Sequence, residues 1–566
     1  MKMHKLLFLI ILTLAIFLRF YKLNSFPIGL YSDETAYGYN AYSLLKTGSD
    51  EFGEKWPLTL KSFGDYKPPM SAWLTIPSVR VFGLNEFSVR LPSALAGVIT
   101  AIIIYLIAIE IFANNTKFFP KRINYIPEIA MAMIAISPWH LLFTRSSMLV
   151  GIEIMFTSAG FLFFLKGLKK DYFLYLGSLA FISAIYTYYG ARITVTLLVL
   201  ALILIFKKEL WEKRKSFIAA FLLGFVMISP LLFSVYKNPL TLTGRASTVS
   251  IFYDPDIKLK LWQAHTLEGS KYPVLLSRFF NNKPYLYSKD FLRRYLQHFS
   301  YDFSVLKGDS QTPFNLQKMG VAYLPDIIFF LVALYFSLKY RTKKIVALGA
   351  YLFISPIAAS FTFITPAANR SFNMVVGWTI LISFGIAIFL SAFRKTKTLI
   401  FALLIIFTSY FISFIYFLYV YYSVIPYEYP NQWHYGRKQI VARVSALEDQ
   451  YQNVVISDSL GPSYIWFLFY KKYDPIKYRQ SSIIDNTLDE FGFINVKAFD
   501  KYKFVKPFKW EKVDKNPGTL YVSFEDDIPD NWAGITSGKT YATRIVDKIY
   551  YPNGKIASKL VEIEVK

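Results

Sequence analysis

The sequence predicts an α-helical polytopic membrane protein that carries a small soluble α/β domain at its C-terminus. Of its 566 residues, 54% are hydrophobic and 19% are aromatic, and the mean hydropathy is positive at +0.34. Such a composition is typical of a chain that crosses a membrane many times. The composition changes after Pro426: from there to Lys566, twenty Lys and Arg stand against eighteen Asp and Glu, as in a soluble domain.

The net charge of +25 is therefore concentrated in the hydrophobic part of the chain. There it lies in short basic stretches between apolar runs, where Lys and Arg orient helices and contact anionic lipid headgroups. We expect membrane lipids as partners and no nucleic acid. The chain contains no cysteine, which excludes disulfides and thiolate metal sites.

Eleven apolar segments are candidate transmembrane helices, since a span needs about 20 mostly apolar residues. The first resembles the apolar run of a signal peptide, but no small-residue cleavage site follows it, so we interpret it as an uncleaved helix. Pro138 interrupts the third segment, and the sixth is short. The segments are 5–23, 88–112, 126–143, 148–166, 172–190, 192–206, 216–236, 322–338, 344–363, 371–392 and 398–423.

The basic stretches predict the orientation of these helices. All of them fall on one side of the membrane, and the positive-inside rule makes that side the cytoplasm. Three segments then lie outside a plasma membrane: a first loop, 24–87, a long loop, 238–321, and the C-terminal part of the chain. The basic stretches are Lys2/Lys5, Lys117/Lys121/Arg122, Lys166/Lys169/Lys170, Lys207/Lys208/Lys213/Arg214/Lys215, Lys339/Arg341/Lys343/Lys344 and Arg394/Lys395/Lys397.

These patterns divide the chain into a transmembrane module, 1–423, and an external α/β domain, 424–566. Within the external domain, 433–447 has the spacing of an amphipathic helix, and several short β-branched stretches are typical of strands. The predicted strands are 453–457, 519–524, 545–551 and 556–565, the last two joined by a Pro-Asn-Gly turn.

The first external loop concentrates the residues that suggest chemistry. Asp33 and Glu34 directly follow the first predicted helix, and Lys67 precedes two prolines shortly before the chain returns to the membrane. A carboxylate can remove a proton from an acceptor, and a cation can stabilise a departing phosphate. The loop therefore offers a base and a cation at the membrane–water boundary, where Lys67 is expected to be exposed.

Each feature also has a structural interpretation. Asp33 could simply cap a helix over 35–45, because carboxylates favour helix N-termini. Lys67 could belong to a rigid turn ahead of the next helix and point at lipid headgroups, since proline suits a first helical turn. The pattern alone leaves both alternatives open.

Four short motifs follow one another over about 75 residues: Asp33-Glu34 with Tyr37, Lys67-Pro68-Pro69, Phe82-Gly83 with Glu86, and Arg90-Leu91-Pro92-Ser93-Ala94 with Gly97. They resemble those of the lipid-carrier-dependent glycosyltransferases of the protein O-mannosyltransferase and aminoarabinose-transferase superfamily, which have the GT-C architecture. The predicted topology extends this resemblance over the first 423 residues.

The resemblance implies roles for several of these residues. Asp33 matches the position of the catalytic base, with Glu34 beside it as a second candidate carboxylate. Lys67 matches a cation near the lipid phosphate, and Tyr37 and Asp65 from the same stretches complete the candidate donor-binding set.

Three arginines at predicted external helix ends are further candidates for binding the lipid phosphate. They are Arg145, Arg192 and Arg370, the last in a loop of small residues that would let a lipid headgroup approach. Their structural alternative is snorkelling, in which a long basic side chain reaches the interface without binding a ligand.

The sequence thus predicts a membrane glycosyltransferase that moves a sugar from a polyprenyl-phosphate carrier to a hydroxyl of a protein, glycan or lipid acceptor. A mannose-like hexose or a pentose is expected, with Asp33 as base and inversion at the sugar carbon. No residue is assigned to a metal, although a divalent cation is possible. Two alternatives remain: a transporter or flippase for lipid-linked sugars, and an oligosaccharyltransferase-like enzyme.

Overall fold

A computed structural model of the protein describes residues 2–112, 125–241, 249–253, 255–267, 274–487, 494–536 and 539–565. The basic stretch Lys117/Lys121/Arg122, used above to predict orientation, lies outside these residues. The α-helices are Lys2–Phe20, Ser32–Thr47, Met70–Phe82, Glu86–Phe112, Ile126–Ile136, Pro138–Arg145, Leu149–Gly167, Tyr172–Ile185, Ala191–Ile205, Lys207–Glu212, Arg214–Lys237, Pro255–Leu267, Val274–Phe280, Lys283–Gln297, Leu324–Lys339, Lys343–Ile354, Ile357–Ser360, Met374–Ser391, Thr396–Tyr419, Ile425–Glu428, Arg437–Leu447, Tyr464–Tyr470 and Pro475–Ser481.

The chain forms two compact units, each assembled from separate parts of the sequence. The first unit contains Met1–Tyr21, Ser93–Thr144 and Leu149–Leu418. The second contains Lys22–Pro92, Arg145–Met148 and Tyr419–Lys566. The second unit therefore combines the predicted first external loop with the predicted C-terminal domain.

Apolar helices dominate the first unit. Within the described ranges, seven helices have the length and hydropathy needed to span a membrane, and an eighth span results if one bent helix pair is counted as a single segment. Each of the eleven segments predicted from hydropathy coincides with one or two helices. Some of these helices are shorter than the length required of a span, among them Tyr172–Ile185, Ala191–Ile205 and Leu324–Lys339. This multi-pass helical architecture confirms the predicted fold class.

The bent pair consists of Ile126–Ile136 and Pro138–Arg145, which meet at an angle of 56°. Pro138 has no N–H to donate to the carbonyl of Ile134, so the helix cannot continue unbroken. Arg19, at the end of the first helix and fully buried, replaces that donor. Its guanidinium donates to the carbonyls of Ile134 at 3.1 Å and Ala135 at 3.3 Å, and its Nη2 lies 2.7 Å from the ring of His140.

The second unit contains a two-stranded hairpin and a sheet of eight strands. In chain order the strands are β1 (Leu60–Ser62), β2 (Asp65–Lys67), β3 (Asn453–Ser457), β4 (Ile483–Asp485), β5 (Asn495–Phe499), β6 (Tyr502–Val505), β7 (Thr519–Phe524), β8 (Ala533–Thr536), β9 (Lys539–Tyr550) and β10 (Ile556–Val565). β1 and β2 form the hairpin, and the large sheet has the order β4-β5-β6-β3-β7-β10-β9-β8.

This sheet is mixed. The central strand β3 runs parallel to β6 and β7, whereas the other neighbouring strands are antiparallel. Helices Arg437–Leu447 and Tyr464–Tyr470 contribute buried side chains that pack with those of the central strands. The predicted small α/β domain is thereby confirmed, including the strands at 453–457 and 519–524 and the final hairpin.

The segment that was predicted to form the first external loop packs into this domain. Helix Ser32–Thr47 contacts helix Tyr464–Tyr470 so closely that a Cβ on Gly38 would lie 2.6 Å from the ring of Phe469. Trp466 also donates its indole N–H to the carbonyl of Leu30 at 3.0 Å. The start of helix Ser32–Thr47 is consequently fixed by residues more than 400 positions later in the chain.

The contacts of Arg19 generate a stability prediction. Hydrogen bonds to charged groups contribute about 1.5–3 kcal/mol each, and Arg19 donates several within a buried region. We expect Arg19→Met to lower the thermal unfolding midpoint of the purified protein clearly. The matched control is Arg80→Met, at an exposed position of helix Met70–Phe82, which should change the midpoint little. Equal shifts for the two variants would contradict this role of Arg19.

Candidate functional site

The site is built on the first turn of helix Ser32–Thr47. Glu34 closes this turn, because its Oε2 accepts a hydrogen bond from the backbone N–H of Tyr31 at 2.9 Å. A carboxylate at this position also interacts favourably with the positive end of the helix dipole. The helix therefore begins at Ser32, and Glu34 makes the capping contact for which Asp33 was considered.

Glu34 is buried in an ion pair with Arg90, and the side chains of both residues are 0% exposed. Arg90 Nε donates to Glu34 Oε1 at 3.1 Å, and the same oxygen accepts from the backbone N–H of Ser147 at 2.8 Å. Buried charges are tolerated when they are paired and fully hydrogen-bonded. Both carboxylate oxygens of Glu34 are thus engaged in structural contacts.

Arg90 uses its remaining N–H groups to hold the chain that leads into the site. It donates to the carbonyls of Leu23 at 3.2 Å and Pro27 at 3.0 Å, and also to that of Gly29. The planar guanidinium suits such multiple contacts because it presents five donors in a fixed geometry. Sequence reasoning used Arg90 only as part of a motif and missed its role as the partner of Glu34.

Asp33 has the opposite environment. Its side chain is 42% exposed, although it neighbours the buried Glu34 in sequence. Asp33 Oδ1 accepts a hydrogen bond from Lys67 Nζ, and the two side chains form an ion pair. The structure therefore brings together the carboxylate and the cation that the sequence analysis placed at opposite ends of the first external loop.

Lys67 is held rigidly at the end of β2. The tight turn of the hairpin uses Phe63 and Gly64, both with positive φ, and Pro68 and Pro69 follow Lys67 before the helix Met70–Phe82. The Lys67 side chain is only 7% exposed, so the expectation of an exposed lysine was wrong. Its ammonium lies 4.3 Å from the ring centre of Phe63 and 5.6 Å from that of Tyr37. These two rings cover the Lys67 side chain, which the sequence analysis expected to be exposed.

The two other candidates from this loop lie nearby. Tyr37 follows Asp33 by one helical turn and is almost completely buried, so it contributes its ring face to Lys67. Asp65 is half-buried at the beginning of β2, where it pairs in register with Ser62.

Arg145 also belongs to this unit, but it is enclosed by aromatic rings. The guanidinium carbon lies 5.5 Å and 5.6 Å from the ring centres of Tyr421 and Tyr422. Arg145 donates to the hydroxyl of Tyr421 at 3.3 Å and to the carbonyl of Phe26 at 3.4 Å. With 1% of the residue exposed, these contacts favour a packing role.

Arg192 and Arg370 lie in the first unit. Arg192 donates to the carbonyl of Thr241 at 3.2 Å and lies over the ring of Tyr189. Arg370 is half-buried and donates to the hydroxyl of Thr362 at 2.6 Å. Both side chains therefore also contact neighbouring residues of their own unit.

A further carboxyl group, Glu51, was not recognised from the sequence. It is completely buried, and Tyr464 donates its hydroxyl to Glu51 Oε2 at 3.2 Å. Burial raises the pKa of Glu51 to about 7. No local pattern identifies this residue, because Tyr464 comes from the C-terminal domain.

In the part of the chain that the structure describes, no group of three or more His, Asp or Glu side chains converges in a way that could hold a metal ion.

Sequence comparisons detect related proteins over limited regions. Residues 66–233 match the family model described as dolichyl-phosphate-mannose-protein mannosyltransferase. An uncharacterized protein from Aquifex aeolicus (strain VF5) is 33% identical over 111 residues, which amount to 19% of this chain and 21% of that protein.

Structural comparisons extend over most of the chain. ArnT from Cupriavidus metallidurans bound to undecaprenyl phosphate superposes with a TM-score of 0.53 at 12% identity, covering 98% of this chain and 97% of ArnT. The oligosaccharyltransferase of Archaeoglobus fulgidus in the apo form gives a TM-score of 0.51 at 15% identity. That match covers 82% of this chain but 63% of the oligosaccharyltransferase, so the chain spans less than two thirds of its length.

At these identities the structural likeness establishes the fold, and the family model adds the relationship in sequence. Together they confirm the resemblance predicted from the motifs around Asp33, Lys67 and Arg90. The chain therefore has a GT-C-type membrane fold, and over residues 66–233 it is similar in sequence to the dolichyl-phosphate-mannose-protein mannosyltransferases.

Proposed function

We propose that this protein is a membrane glycosyltransferase that transfers a sugar from a polyprenyl-phosphate carrier to an acceptor hydroxyl, with Asp33 as the base. The observation that carries the proposal is the Asp33–Lys67 pair, in which a buried lysine presents its ammonium to a solvent-accessible carboxylate. A base must reach its substrate, and among the two adjacent acidic residues only Asp33 has an accessible side chain.

The chemistry follows from the two side chains. Asp33 takes the proton from the acceptor hydroxyl while that oxygen forms a bond to the anomeric carbon of the sugar. The bond between that carbon and the phosphate oxygen breaks, and the carrier phosphate leaves with both bonding electrons. Lys67 stabilises the charge that develops on the phosphate. One displacement of this kind inverts the configuration at the anomeric carbon.

Glu34 has a different role in this proposal. Its oxygens accept hydrogen bonds from Arg90, Tyr31 and Ser147, and proton transfer to such an oxygen would disrupt a buried ion pair. We therefore assign Glu34 to holding the first helical turn that presents Asp33. Arg145 is assigned to packing by its aromatic contacts, whereas Arg192 and Arg370 remain candidates for binding the donor.

The solved relatives support a carrier-lipid donor. One of them, ArnT, was determined with bound undecaprenyl phosphate, and an oligosaccharyltransferase of the same fold was determined with an inhibitory peptide and a dolichol-phosphate. We infer that this chain uses a polyprenyl-phosphate donor carrying a hexose such as mannose, or a pentose. The basic loops support a plasma-membrane protein with a cytoplasmic N-terminus, which places Asp33 on the external side.

The proposal is tested by incubating the purified protein with polyprenyl-phosphate-linked mannose, other hexoses and pentoses, together with peptide, glycan and lipid acceptors. We expect release of the carrier phosphate and a glycosylated product with inverted anomeric configuration from at least one donor. Transfer from a lipid-linked oligosaccharide alone would instead favour an oligosaccharyltransferase-like activity. Transport of intact lipid-linked sugar across vesicles without transfer would contradict the proposal.

Asp33→Asn should separate catalysis from folding. The amide preserves the size of the side chain but cannot accept the proton, and general base catalysis typically contributes about a hundred- to ten-thousand-fold in rate. We expect the transfer rate to fall at least about a hundredfold, with an unchanged thermal unfolding midpoint. The rate is measured at saturating donor and acceptor.

Two other carboxyl variants serve as comparisons for Asp33→Asn. Glu34→Gln should lower the unfolding midpoint because it leaves buried Arg90 without its counter-charge, whereas Asp65→Asn should reduce the rate much less than Asp33→Asn. A nearly fully active Asp33→Asn protein would show that another group is the base.

Lys67→Met should weaken use of the donor. Methionine fills the space of the aliphatic stem beside Phe63 but removes the charge that attracts the phosphate. We expect the KM for the lipid donor to rise about tenfold or more, as for loss of a charged contact of about 1.5–3 kcal/mol. Lys61→Met is the matched control, since Lys61 lies on β1 of the same hairpin and over the ring of Phe52. Unaltered donor kinetics in Lys67→Met would assign Lys67 to the turn alone.

A further inference from the structure

A further buried carboxyl group, Glu51, belongs to the same unit as the Asp33–Lys67 pair. Glu51 follows helix Ser32–Thr47 and is 0% exposed. Asn40 donates its side-chain N–H to Glu51 Oε1 at 3.3 Å, and the backbone N–H of Glu51 donates to Asn40 Oδ1 at 2.9 Å. Tyr464 donates to the other carboxyl oxygen at 3.2 Å. The fold thus encloses a titratable group that the proposed transfer step does not use.

Two routes connect Glu51 with Lys67. Along helix Ser32–Thr47, Asp33, Tyr37 and Asn40 lie on one face, because residues four and seven apart fall on the same side of a helix. Asp33 pairs with Lys67, the Tyr37 ring lies beside the Lys67 ammonium, and Asn40 holds Glu51.

The second route runs through aromatic rings. The Phe63 ring lies 4.3 Å from Lys67 Nζ and its centre is 6.0 Å from that of Tyr464, and Tyr464 binds Glu51. Among the residues that the structure describes, Glu51 forms no ion pair within 4.0 Å, but the charge of Lys67 acts on its carboxyl group and favours the ionised form.

We propose that Glu51 is a positioning residue for Lys67. When Glu51 is ionised, its negative charge offsets the attraction of Lys67 for a lipid phosphate, and when Glu51 is protonated, that attraction becomes stronger. The inference rests on the function proposed for this site. Lys67 would then lie between two carboxyl groups: Asp33 accessible to substrate, and Glu51 enclosed by protein.

The environment of Glu51 places its titration near neutral pH. Burial raises its pKa to about 7, an effect partly opposed by the nearby hydroxyl of Ser62, by the hydrogen bond from Asn40 and by the charge of Lys67. Burial likewise raises the pKa of the neighbouring Asp50 to about 6. The other titratable or charged groups around the pair are Tyr39, Tyr464 and Tyr478, whose pKa values are all raised by burial, and Arg479, which donates to the carbonyl of Asp50 at 3.0 Å.

The consequence is a pH-dependent affinity for the phosphate group. Below pH 6, Glu51 is protonated and no longer opposes the positive potential at Lys67. Above pH 8, Glu51 is ionised and reduces the positive potential at the lysine. At an effective dielectric constant near 20, two unit charges roughly 10 Å apart would change affinity about fifteenfold, and partial screening by solvent and salt reduces the expected change to about three- to tenfold.

The experiment compares binding of undecaprenyl phosphate to the full-length protein and to Glu51→Gln between pH 5.5 and about 8.5, a range that brackets the titration of a group with a pKa of about 7. The ratio of the two Kd values removes the titration of the ligand itself. We expect the wild type to bind as tightly as Glu51→Gln at low pH and about three- to tenfold more weakly at high pH. Asp50→Asn is the control, since the Asp50 carboxylate accepts from the backbone of Phe52 and Glu54, and its ratio should stay near one.

Three outcomes bear on the inference. A Kd ratio for Glu51→Gln that does not vary with pH overturns it. The same pH-dependent ratio in Asp50→Asn also overturns it, because the effect would then reflect any nearby buried carboxyl group. If the wild type binds no undecaprenyl phosphate at any pH, the result counts against the proposed function instead. The coupling of Glu51 to Lys67 is then tested by the pH dependence of the thermal unfolding midpoint.

That stability measurement uses thermal unfolding across the same pH range. Because the pKa of Glu51 is higher in the folded chain than in the unfolded chain, its stabilising contribution is fully present below the unfolded pKa and is lost as pH rises through about 7. The unfolding midpoint of Glu51→Gln should therefore exceed that of the wild type increasingly with pH. In a Lys67→Met background the pKa of Glu51 is higher, so this increase should continue to higher pH. An identical profile in both backgrounds overturns the coupling.

Discussion

The buried ion pair between Glu34 and Arg90 is the interaction on which the candidate site depends. Its two side chains are fully removed from solvent, and an isolated charge in such a position would be strongly unfavourable. The pair is tolerated because backbone groups complete its hydrogen bonding. Tyr31 and Ser147 donate to the carboxylate, while Leu23, Pro27 and Gly29 accept from the guanidinium. One pair of charges therefore fixes the connection after the first helix, the start of helix Ser32–Thr47 and the segment 145–148.

Helix geometry explains how two adjacent acidic residues acquire different environments. Successive side chains on an α-helix point about 100° apart, so a turn that buries Glu34 against Arg90 directs Asp33 elsewhere. Asp33 reaches the surface, where it meets an ammonium group supported by the rings of Phe63 and Tyr37. Glu34 thus stabilises the first helical turn, while the Asp33 carboxylate stays accessible to a substrate. Glu51 adds a third environment, in which burial rather than a salt bridge controls protonation.

Hydropathy predicted the helices well, because an apolar segment of sufficient length has few other stable states in a membrane. The alternating patterns of the C-terminal domain and its Pro-Asn-Gly turn likewise predicted β3, β7, β10 and the second half of β9, but the shorter strands β4, β5, β6 and β8 were not predicted. The motifs identified Asp33 and Lys67, yet the burial of Lys67 depends on a hairpin turn that places Phe63 beside it. Arg145 was assigned from its position at a helix end, and its enclosure by Tyr421 and Tyr422 arises from contacts almost 280 residues apart in sequence. Glu51 was not identified from the sequence because its partner Tyr464 lies 413 positions away.

The discontinuous composition of the second unit has a consequence for biosynthesis. The segment Lys22–Pro92 is translated first, but the residues that enclose it, among them Trp466 and Phe469, are made several hundred residues later. At about 5–20 residues per second, this gap corresponds to tens of seconds during which the nascent loop lacks its permanent neighbours. Its buried charges must meanwhile be solvated or shielded by other means. The order of synthesis therefore delays assembly of the site until the last quarter of the chain has emerged, and an incomplete polypeptide already inserted in the membrane would remain inactive.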